Sequence, residues 1–382
     1  MDEIFIKRTI LKEFQKKVRP NKVLILQGAR RVGKTELIKE YLKGIDTNDY
    51  LFLNGDDQKT NDLLAERTVV NYKRLMGKQN LLVIDEAQRI PEIGLKLKLM
   101  VDELKGIKVI ATGSSVFDLD NKLGEPLVGR SNTLRLFPLA QMEFSETENY
   151  LQTSNKLEER LIFGSYPELQ QYDDWKEKAN YLEEMVSSYL LRDLLEFEGI
   201  KKSNKIMDLL RLLAFQIGKE VSVEELANQL KDISKNTVQH YLDLLSKVFV
   251  IYNLRGYSSN LRKEVTKMSK WYFCDNGIRN AIIKNFNLLK FRGDTGELWE
   301  NYLVYERLKY QSYSKMMVNN YFWRTYDQQE IDWLEEREGK LFANEFKWNA
   351  NKIVKIPAAF KKAYPAADFQ TTNSSNYLDW IV

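Results

Sequence analysis

The sequence predicts an α/β protein that begins with a sheet of about five parallel strands and ends with a smaller mixed α/β region. Three observations predict this order. Short apolar runs alternate with amphipathic segments through the first third of the chain. Segments with helical spacing of apolar residues dominate the middle. A longer amphipathic helix, followed by aromatic-rich strand-like runs, occupies the C-terminal part.

Composition limits the chemistry that the chain can perform. The 382 residues are 43% hydrophobic and carry a net charge of +4, so several domains can form and any basic surface must be local. A single cysteine and a single histidine exclude a disulfide within the chain and argue against a Cys/His zinc site or a Ser-His-Asp triad. Because no apolar leader or membrane-length apolar run is present, we expect a cytoplasmic protein without a membrane partner.

A phosphate-binding loop is predicted where the first strand runs into a helix. The stretch KVLILQGARRVGKTELIKEYL contains Gly28, Gly33, Lys34 and Thr35 in the pattern G-x-x-x-x-G-K-[ST]. Backbone amides and the helix N-terminus supply positive potential there. We expect Lys34 to reach the β- and γ-phosphates of ATP and the Thr35 hydroxyl to bind Mg²⁺.

Two carboxylates close a later apolar strand, NLLVIDEAQ. Carboxylates at the end of a buried strand are costly unless a cation compensates them. We expect Asp85 to hold the Mg²⁺ through water and Glu86 to polarise the attacking water.

Another buried strand, GIKVIATGSS, ends in hydroxyl side chains. Thr112 and Ser114 either contact the γ-phosphate or the water, or simply cap the strand end. The residues that we predict to contact ATP are Gly28, Ala29, Arg30, Arg31, Val32, Gly33, Lys34, Thr35, Glu36, Asp85, Thr112 and Ser114.

Residues 22–140 resemble the AAA-type ATPases of bacteria and archaea, in which a catalytic glutamate follows the magnesium aspartate. Residues 127–146 are similar to the end of this domain in one subgroup, where a Gly-Arg pair precedes a strand and a Pro-Leu-x-x-x-Glu-Phe turn. The resemblance makes Arg130 a candidate catalytic arginine finger, serving its own site or a neighbour's in a homo-oligomer. Arg30 and Arg31 compete for that role, and Arg130 can instead be an ordinary surface arginine.

The resemblance continues into the middle of the chain. That subgroup carries a Gly-x-Tyr-Pro turn and then a helix with Tyr and an Arg-Asp pair. Leucine and methionine at helical spacing in this segment are most simply core, and we assign Arg192 no catalytic role. The matching residues are Gly164, Tyr166, Pro167, Tyr189, Arg192 and Asp193.

From residue 204, short helical segments are similar to a helix-turn-helix whose last helix starts at Ser234. Val238, Leu242 and Leu245 are expected to pack inward. The outward set, suited to a DNA groove, is Lys235, Asn236, Gln239 and His240.

The stretches VIYNLRGYS and KWYFCD would form the wing of a winged helix. Such units also serve only as connectors between domains, and Asp243 would repel phosphate, so DNA contact is one of two interpretations. The basic residues that favour DNA are Arg255, Arg262, Lys263, Lys267 and Lys270.

A C-terminal hairpin is predicted to carry an acidic residue followed by Glu-x-Lys. Asp332, Glu345 and Lys347 resemble the PD-(D/E)xK nuclease core, although isoleucine stands where that pattern has proline. A glutamate of the preceding helix, Glu297 or Glu300, has a counterpart in part of that superfamily.

The resemblance implies that Asp332 and Glu345 converge on a second Mg²⁺, with Lys347 and Glu300 beside it. In the alternative interpretation, Glu345 and Lys347 pair with each other on a half-exposed sheet face and need no metal.

Together these patterns predict a P-loop NTPase parallel sheet, a helical linker and winged helix, and a C-terminal nuclease-like α/β domain. We place the domains at residues 1–145, 146–203, 204–290 and 291–382. The predicted function is ATP hydrolysis coupled to C-terminal modules that act on DNA. The alternatives are an ATP-gated, Mg²⁺-dependent nuclease and a nucleotide-dependent protein-binding or signalling module without turnover.

Overall fold

The computed structural model describes residues 6–113, 127–190, 203–257, 269–352 and 354–382. The chain forms two compact units, the first as far as Pro138 and the second from Leu139 to Val382. The α-helices are α1 Leu11–Lys17, α2 Lys34–Leu42, α3 Gln58–Leu63, α4 Val69–Met76, α5 Ile93–Glu103, α6 Tyr150–Asn155, α7 Leu157–Phe163, α8 Trp175–Glu184, α9 Ser203–Phe215, α10 Val223–Leu230, α11 Lys235–Lys247, α12 Asn276–Ile282, α13 Thr295–Tyr313, α14 Ala358–Ala363 and α15 Leu378–Ile381. The strands are β1 Lys22–Gln27, β2 Tyr50–Asn54, β3 Leu81–Asp85, β4 Lys108–Gly113, β5 Ser131–Arg135, β6 Ile251–Gly256, β7 Ser269–Phe273, β8 Asn319–Arg324, β9 Glu330–Arg337, β10 Lys340–Lys347 and β11 Asp368–Asn373.

The first unit is built on a five-stranded sheet of order β2-β3-β4-β1-β5. Every pairing in it is parallel, which confirms the α/β fold with a parallel sheet. Every residue of β3 is buried, as expected for a strand that is covered on both faces. The core on one face combines strand residues with side chains of α4 and α5, among them Val23, Ile25, Leu82, Ile84, Val109, Tyr72, Leu97 and Met100.

The strand order brings the predicted site motifs to one edge of this sheet. Gln27, the last residue of β1, pairs with Gly113, the last residue of β4. On its other side β4 pairs with β3, which ends at Asp85. The loops that follow these strands therefore leave from the same carboxyl edge, where α/β proteins usually bind ligands.

The second unit contains a six-stranded mixed sheet of order β11-β10-β9-β8-β6-β7. The strands β6 and β7 pair antiparallel, and β6 also pairs in parallel with β8 through Arg255–Tyr321 and Gly256–Phe322. The two stretches expected to form a wing are thus one edge of the C-terminal sheet. Aromatic side chains dominate the core that covers this sheet, including Tyr272, Trp299, Tyr302, Phe322, Trp333, Phe346, Tyr377 and Trp380.

The stretch NYFWRTYDQQEIDWLEE, which contains Asp332, forms two strands. The first, β8, ends at Arg324, and β9 begins at Glu330. Between them the chain turns, with the backbone N–H of Thr325 donating to the carbonyl of Gln329 at 2.9 Å. Polar residues in this turn interrupt the apolar pattern, which is the local reason for the break.

The predicted hairpin that carries the C-terminal motif is confirmed. Arg337 of β9 pairs with Lys340 of β10 in an antiparallel register. The two residues between them, Glu338 and Gly339, have φ angles of 50° and 73°. Two positive φ angles in a two-residue loop match the twist of the strands on either side.

Helix α11 has the two faces that the sequence predicts. Val238, Leu242 and Leu245 are fully buried. The residues of the outer face are exposed: Lys235, Asn236, Gln239 and His240. Within the described residues, each helix is too short or too polar to cross a bilayer.

Candidate active site

The loop between β1 and α2 presents a lysine and the uncapped N-terminus of α2 at the carboxyl edge of the sheet. The Lys34 ammonium donates to the carbonyls of Gly28 and Ala29, both at 2.9 Å, and its side chain is buried. Gly33 precedes α2, and no side chain caps that helix. Its first-turn amides are therefore positioned to bind a phosphate group.

Close packing fixes the path of this loop. A Cβ atom on Gly28 would lie 2.3 Å from the carbonyl oxygen of Leu136, so only glycine fits there. Arg8, which is 7% exposed, donates to the carbonyls of Val32 at 2.7 Å and Phe137 at 2.6 Å. Sequence reasoning missed Arg8, because nothing in the pattern around it distinguishes it from a surface arginine.

Asp85 is held by two hydroxyl groups. Thr35 donates to its Oδ2 at 2.7 Å, and Thr112 donates to its Oδ1 at 2.5 Å. The Thr112 hydroxyl also accepts the backbone N–H of Glu86 at 2.9 Å. Thr112 therefore belongs to the acidic site, beyond any role in capping its strand. Ser114 lies outside the described residues.

Glu86 has a strained backbone and a fixed side chain. Its φ and ψ angles are 51° and 43°, the left-handed region that non-glycine residues rarely adopt. The amide of Gln88 donates to the Glu86 carboxylate Oε2 at 2.6 Å. A Cβ atom on Gly55 would lie 2.2 Å from the Glu86 carbonyl oxygen. Sequence reasoning assigned no role to Gln88 or Gly55, although each directly follows a strand motif.

Arg130 lies at the opposite edge of the sheet. Its carbonyl accepts the backbone N–H of Val23 at the start of β1, whereas the phosphate loop follows the end of β1. A strand of this length separates the two by about 20 Å. The side chain is bound to Asp102, with Nε 2.6 Å from the carboxylate. The suggestion that Arg130 serves its own site is therefore wrong, and action at a neighbour's site stays a prediction.

The remaining predicted contacts differ in where their side chains lie. Glu36 is largely exposed, and its carboxylate pairs with Lys39 at 2.8 Å. Arg31 has a φ angle of 61° within the loop. Arg30 and Arg31 both belong to the loop and remain candidates for the finger role.

The residues present suit Mg²⁺ and a triphosphate. A hydroxyl and a carboxylate oxygen 2.7 Å apart, from Thr35 and Asp85, are hard ligands of the kind Mg²⁺ prefers. Lys34 and the start of α2 supply the complementary positive charge. The predicted ATP and Mg²⁺ therefore fit this edge of the sheet.

The second unit brings the C-terminal motif together. The Lys347 ammonium lies 2.7 Å from Glu345 Oε1 and 3.9 Å from Asp332 Oδ2. Asp332 also accepts the backbone N–H of Phe346 at 2.8 Å. The pairing of Glu345 with Lys347 that the sequence left as an alternative is thus present, and Asp332 joins it.

Glu300 reaches this group through a lysine that sequence reasoning placed elsewhere. The Lys270 ammonium lies 3.4 Å from Glu300 Oε1 and forms a closer ion pair with Glu330. The Tyr272 hydroxyl donates to the same Glu300 oxygen at 2.6 Å. We call the group of Lys270, Glu300, Glu330, Asp332, Glu345 and Lys347 the Lys270 cluster.

Burial shifts the titration of the Lys270 cluster. It raises the pKa of Glu300 to about 7, although Lys270 opposes the shift. It also raises the pKa of Asp332, and that of Glu345 to about 6. Burial alone would lower the pKa of Lys270, but Glu300, Asp332 and Glu330 outweigh it and raise the pKa. Lys270 therefore stays charged among carboxylates that hold protons more tightly than free ones.

Lys270 does not belong to a basic wing surface. It is 2% exposed and points into the cluster, which corrects the expectation that it adds to a DNA-binding wing. Arg255 is exposed, as that expectation requires. The other residues of these predictions that lie outside the described residues are Arg192, Asp193, Arg262, Lys263 and Lys267.

Family models match three consecutive stretches of the chain. A model described as an AAA domain matches residues 20–145. Two domains of unknown function, DUF8612 and DUF4143, match residues 154–289 and 295–378. The AAA match covers the whole parallel sheet and both of its site motifs, so this part of the chain is similar to an AAA domain.

Curated relatives are similar along most of the chain. An uncharacterized protein of Methanocaldococcus jannaschii is 26% identical over 350 residues, which are 87% of this chain and 76% of the relative. An uncharacterized protein of Mycobacterium tuberculosis is 26% identical over 330 residues, 85% of this chain and 70% of the relative.

Two solved structures superpose only loosely on this chain. AMPPCP-bound DnaA from Aquifex aeolicus gives a TM-score of 0.27 at 16% identity, over 62% of this chain and 86% of that chain. Drosophila ORC bound to DNA gives a TM-score of 0.24 at 14% identity, over 71% of this chain and 92% of that chain. Superpositions this loose support no statement about the present chain.

Proposed function

We propose that the protein is an ATPase that binds Mg²⁺ and ATP at the carboxyl edge of its parallel sheet. The observation that carries the proposal is the contact of Thr35 with Asp85, which joins the phosphate loop to the acidic strand end. A hydroxyl from the loop and a carboxylate from a neighbouring strand meet where a phosphate-bound metal would lie.

Each residue of the site has a distinct role in this proposal. Lys34 leaves the loop carbonyls to hold the phosphates, while Thr35 and Asp85 hold the metal, which would offset charge on the phosphates. Glu86 accepts a proton from water at its carboxylate. Because the Gln88 amide donates to Oε2, we assign proton acceptance to the other oxygen, Oε1.

Replacing Glu86 tests turnover apart from binding. We expect Glu86→Gln to reduce phosphate release about 100-fold or more, with ATP affinity kept within about threefold, because only the proton acceptor is lost. Glu92→Gln is the matched control, since Glu92 is an exposed glutamate with the same left-handed backbone, at a φ of 51°.

The outcome separates the proposal from its rival. Full turnover in Glu86→Gln would contradict the assigned role of Glu86. A wild-type protein that binds ATP and releases no phosphate would favour the nucleotide-dependent binding or signalling module.

The proposal includes DNA as the partner that the second unit contacts. Its support is the outer face of α11, where four polar side chains stand exposed around a buried apolar stripe. Within that face the Gln239 amide donates to Asp243 at 2.9 Å, and this carboxylate, which keeps its charge, is the feature of the face that opposes phosphate.

DNA contact is tested by the ATPase rate with added single- and double-stranded DNA at two salt concentrations. We expect stimulation that fades as salt rises, because phosphate contacts release counterions. Lys235→Ala should weaken the stimulation, while Lys247→Ala, at the far end of the same helix, should not. Equal rates with and without DNA at low salt would contradict this part of the proposal.

A further inference from the structure

The Lys270 cluster stands where the sequence predicted a second Mg²⁺. Its carboxylates come from three elements: Glu300 from α13, Glu330 and Asp332 from β9, and Glu345 from β10. Among the described residues, no three His, Cys, Asp or Glu side chains are arranged to hold a metal ion together. The residues present therefore do not fit the metal that the resemblance implies.

An ammonium group takes the central position instead. Lys270 is 2% exposed, forms ion pairs with Glu300 and Glu330, and interacts electrostatically with Asp332. Its Nζ also lies 5.4 Å from the centre of the Phe322 ring, so the charge is enclosed by carboxylates and an aromatic face.

The surrounding contacts supply further positive charge. On one side of the cluster, the Lys347 ammonium lies within ion-pair distance of Glu345 and Asp332. On the other side, Arg324 lies 3.8 Å from Glu330 and 3.4 Å from Glu220. Two ammonium groups thus face four carboxylates in the cluster, and Arg324 adds a further positive contact to Glu330.

A divalent cation would have to displace Lys270. Mg²⁺ takes oxygen ligands at about 2 Å in a near-octahedral arrangement, and in proteins one or two of them are carboxylates. The ammonium would then remain buried beside a second positive charge, and an uncompensated buried charge is strongly destabilising. Moving Lys270 to solvent is hindered as well, because Tyr272 on the same face of β7 is itself fully buried and bound to Glu300.

We propose that Lys270 is a built-in counter-ion that replaces the metal of the C-terminal site, so that the Lys270 cluster binds no Mg²⁺ or Mn²⁺. The proposal does not depend on the ATPase function. It implies that metal-dependent cleavage of nucleic acid does not take place at Asp332 and Glu345.

Tryptophan fluorescence reports on this unit alone. The seven tryptophans all follow residue 138 and therefore lie in the second unit. Thermal unfolding is followed by this signal in the nucleotide-free full chain, with either EDTA or MnCl₂. For the wild type we expect the same melting temperature in both, because Lys270 already occupies the centre of the cluster.

Removing Lys270 should create a cation requirement. We expect Lys270→Ala to melt several degrees lower in EDTA and to regain at least about half of the loss in MnCl₂. Lys309→Ala is the matched control, since Lys309 is equally buried and forms its ion pair with a carboxylate outside the Lys270 cluster, Glu306, at 2.6 Å. It should melt lower and regain nothing with Mn²⁺.

Two results would overturn the proposal. One is wild-type Mn²⁺ binding without nucleotide that disappears in Asp332→Asn. The other is a folded Lys270→Ala protein whose melting temperature does not respond to Mn²⁺. If Lys270→Ala does not fold, Lys270→Met keeps the apolar packing of the lysine side chain and allows the same comparison of melting temperatures in EDTA and MnCl₂. The wild-type measurement tests the proposal without either variant.

Discussion

Asp85 in the first unit and Asp332 in the second are equally buried aspartates, 7% and 8% exposed, but their neighbours differ. Asp85 accepts from the hydroxyls of Thr35 and Thr112, which solvate a carboxylate without cancelling its charge. Asp332 lies among the ammonium groups of Lys347 and Lys270. The difference teaches that a buried carboxylate is available to a cation only where its partners leave the charge in place.

The largest effect is expected from Lys34→Met. Its ammonium is held at the loop carbonyls, ready to move to phosphate oxygens, and methionine cannot make the charge-assisted bonds that this ammonium makes. Affinity for ATP with Mg²⁺ should fall about 100-fold or more, measured by fluorescent-nucleotide titration.

Lys43→Met is its control, because Lys43 is an exposed lysine just after the same helix and pairs with Glu40. Unchanged affinity for ATP in Lys34→Met would contradict the phosphate-binding role that we assign to Lys34 in the first unit.

Gly55→Ala should be next in size. The added methyl group would lie 2.2 Å from the Glu86 carbonyl and force that backbone to move. Turnover is expected to fall about 10- to 100-fold, since a small displacement of a catalytic group costs this much. Gly44→Ala meets nothing within 4 Å and should keep the wild-type rate.

Gln88→Ala tests whether the Glu86 side chain needs its hydrogen-bond partner. Losing the 2.6 Å contact should lower kcat about tenfold and leave KM unchanged, because Gln88 acts through Glu86 and does not touch ATP. A changed KM, or an unchanged kcat, would show that Gln88 has only a structural role.

A buried aspartate of the second unit, Asp275, makes the stability of that unit depend on pH. Burial raises the pKa of Asp275 to about 6, although its hydrogen bonds from the backbone of Ser165, Gly277 and Ile278 oppose the shift. An unfolded chain binds this proton only below about pH 4, so the contribution of Asp275 to stability is full there and is lost as pH rises through about 6.

Tryptophan-monitored unfolding should therefore show the second unit losing about 1 to 3 kcal/mol from this group between about pH 4 and about pH 7. Asp275→Asn should flatten that part of the pH profile. A profile of unchanged steepness would exclude Asp275 as its source.

The smallest effect is expected from Arg130→Ala in dilute protein. Because Arg130 is about 20 Å from the loop of its own chain, turnover should stay within about twofold of wild type. A loss that appears only as protein concentration increases would instead show that Arg130 completes a neighbouring subunit's site.

The first site was predictable because its function depends on local patterns. A glycine loop between a strand and a helix, and two acids closing a strand, are both visible within short stretches around Lys34 and Asp85. The partners that fix these residues were not predictable. The Arg8 side chain donates to backbone carbonyls far along the chain, and Gly55 lies against the backbone of Glu86.

The second site shows the limit of motif reasoning more clearly. Asp332, Glu345 and Lys347 were correctly placed on a hairpin, because the alternation of apolar residues determines the register. Lys270 was assigned to a different surface, since nothing in its own strand indicates that β6 and β7 would join the C-terminal sheet. That long-range pairing changes the charge of the whole site.

Counting bound Mn²⁺ with and without ATP tests the comparison most directly. In equilibrium dialysis of the full chain, we predict a single Mn²⁺ per chain when ATP is present, none without ATP, and none in Lys34→Met under either condition. Mn²⁺ that binds without ATP and is lost in Asp332→Asn would contradict the account.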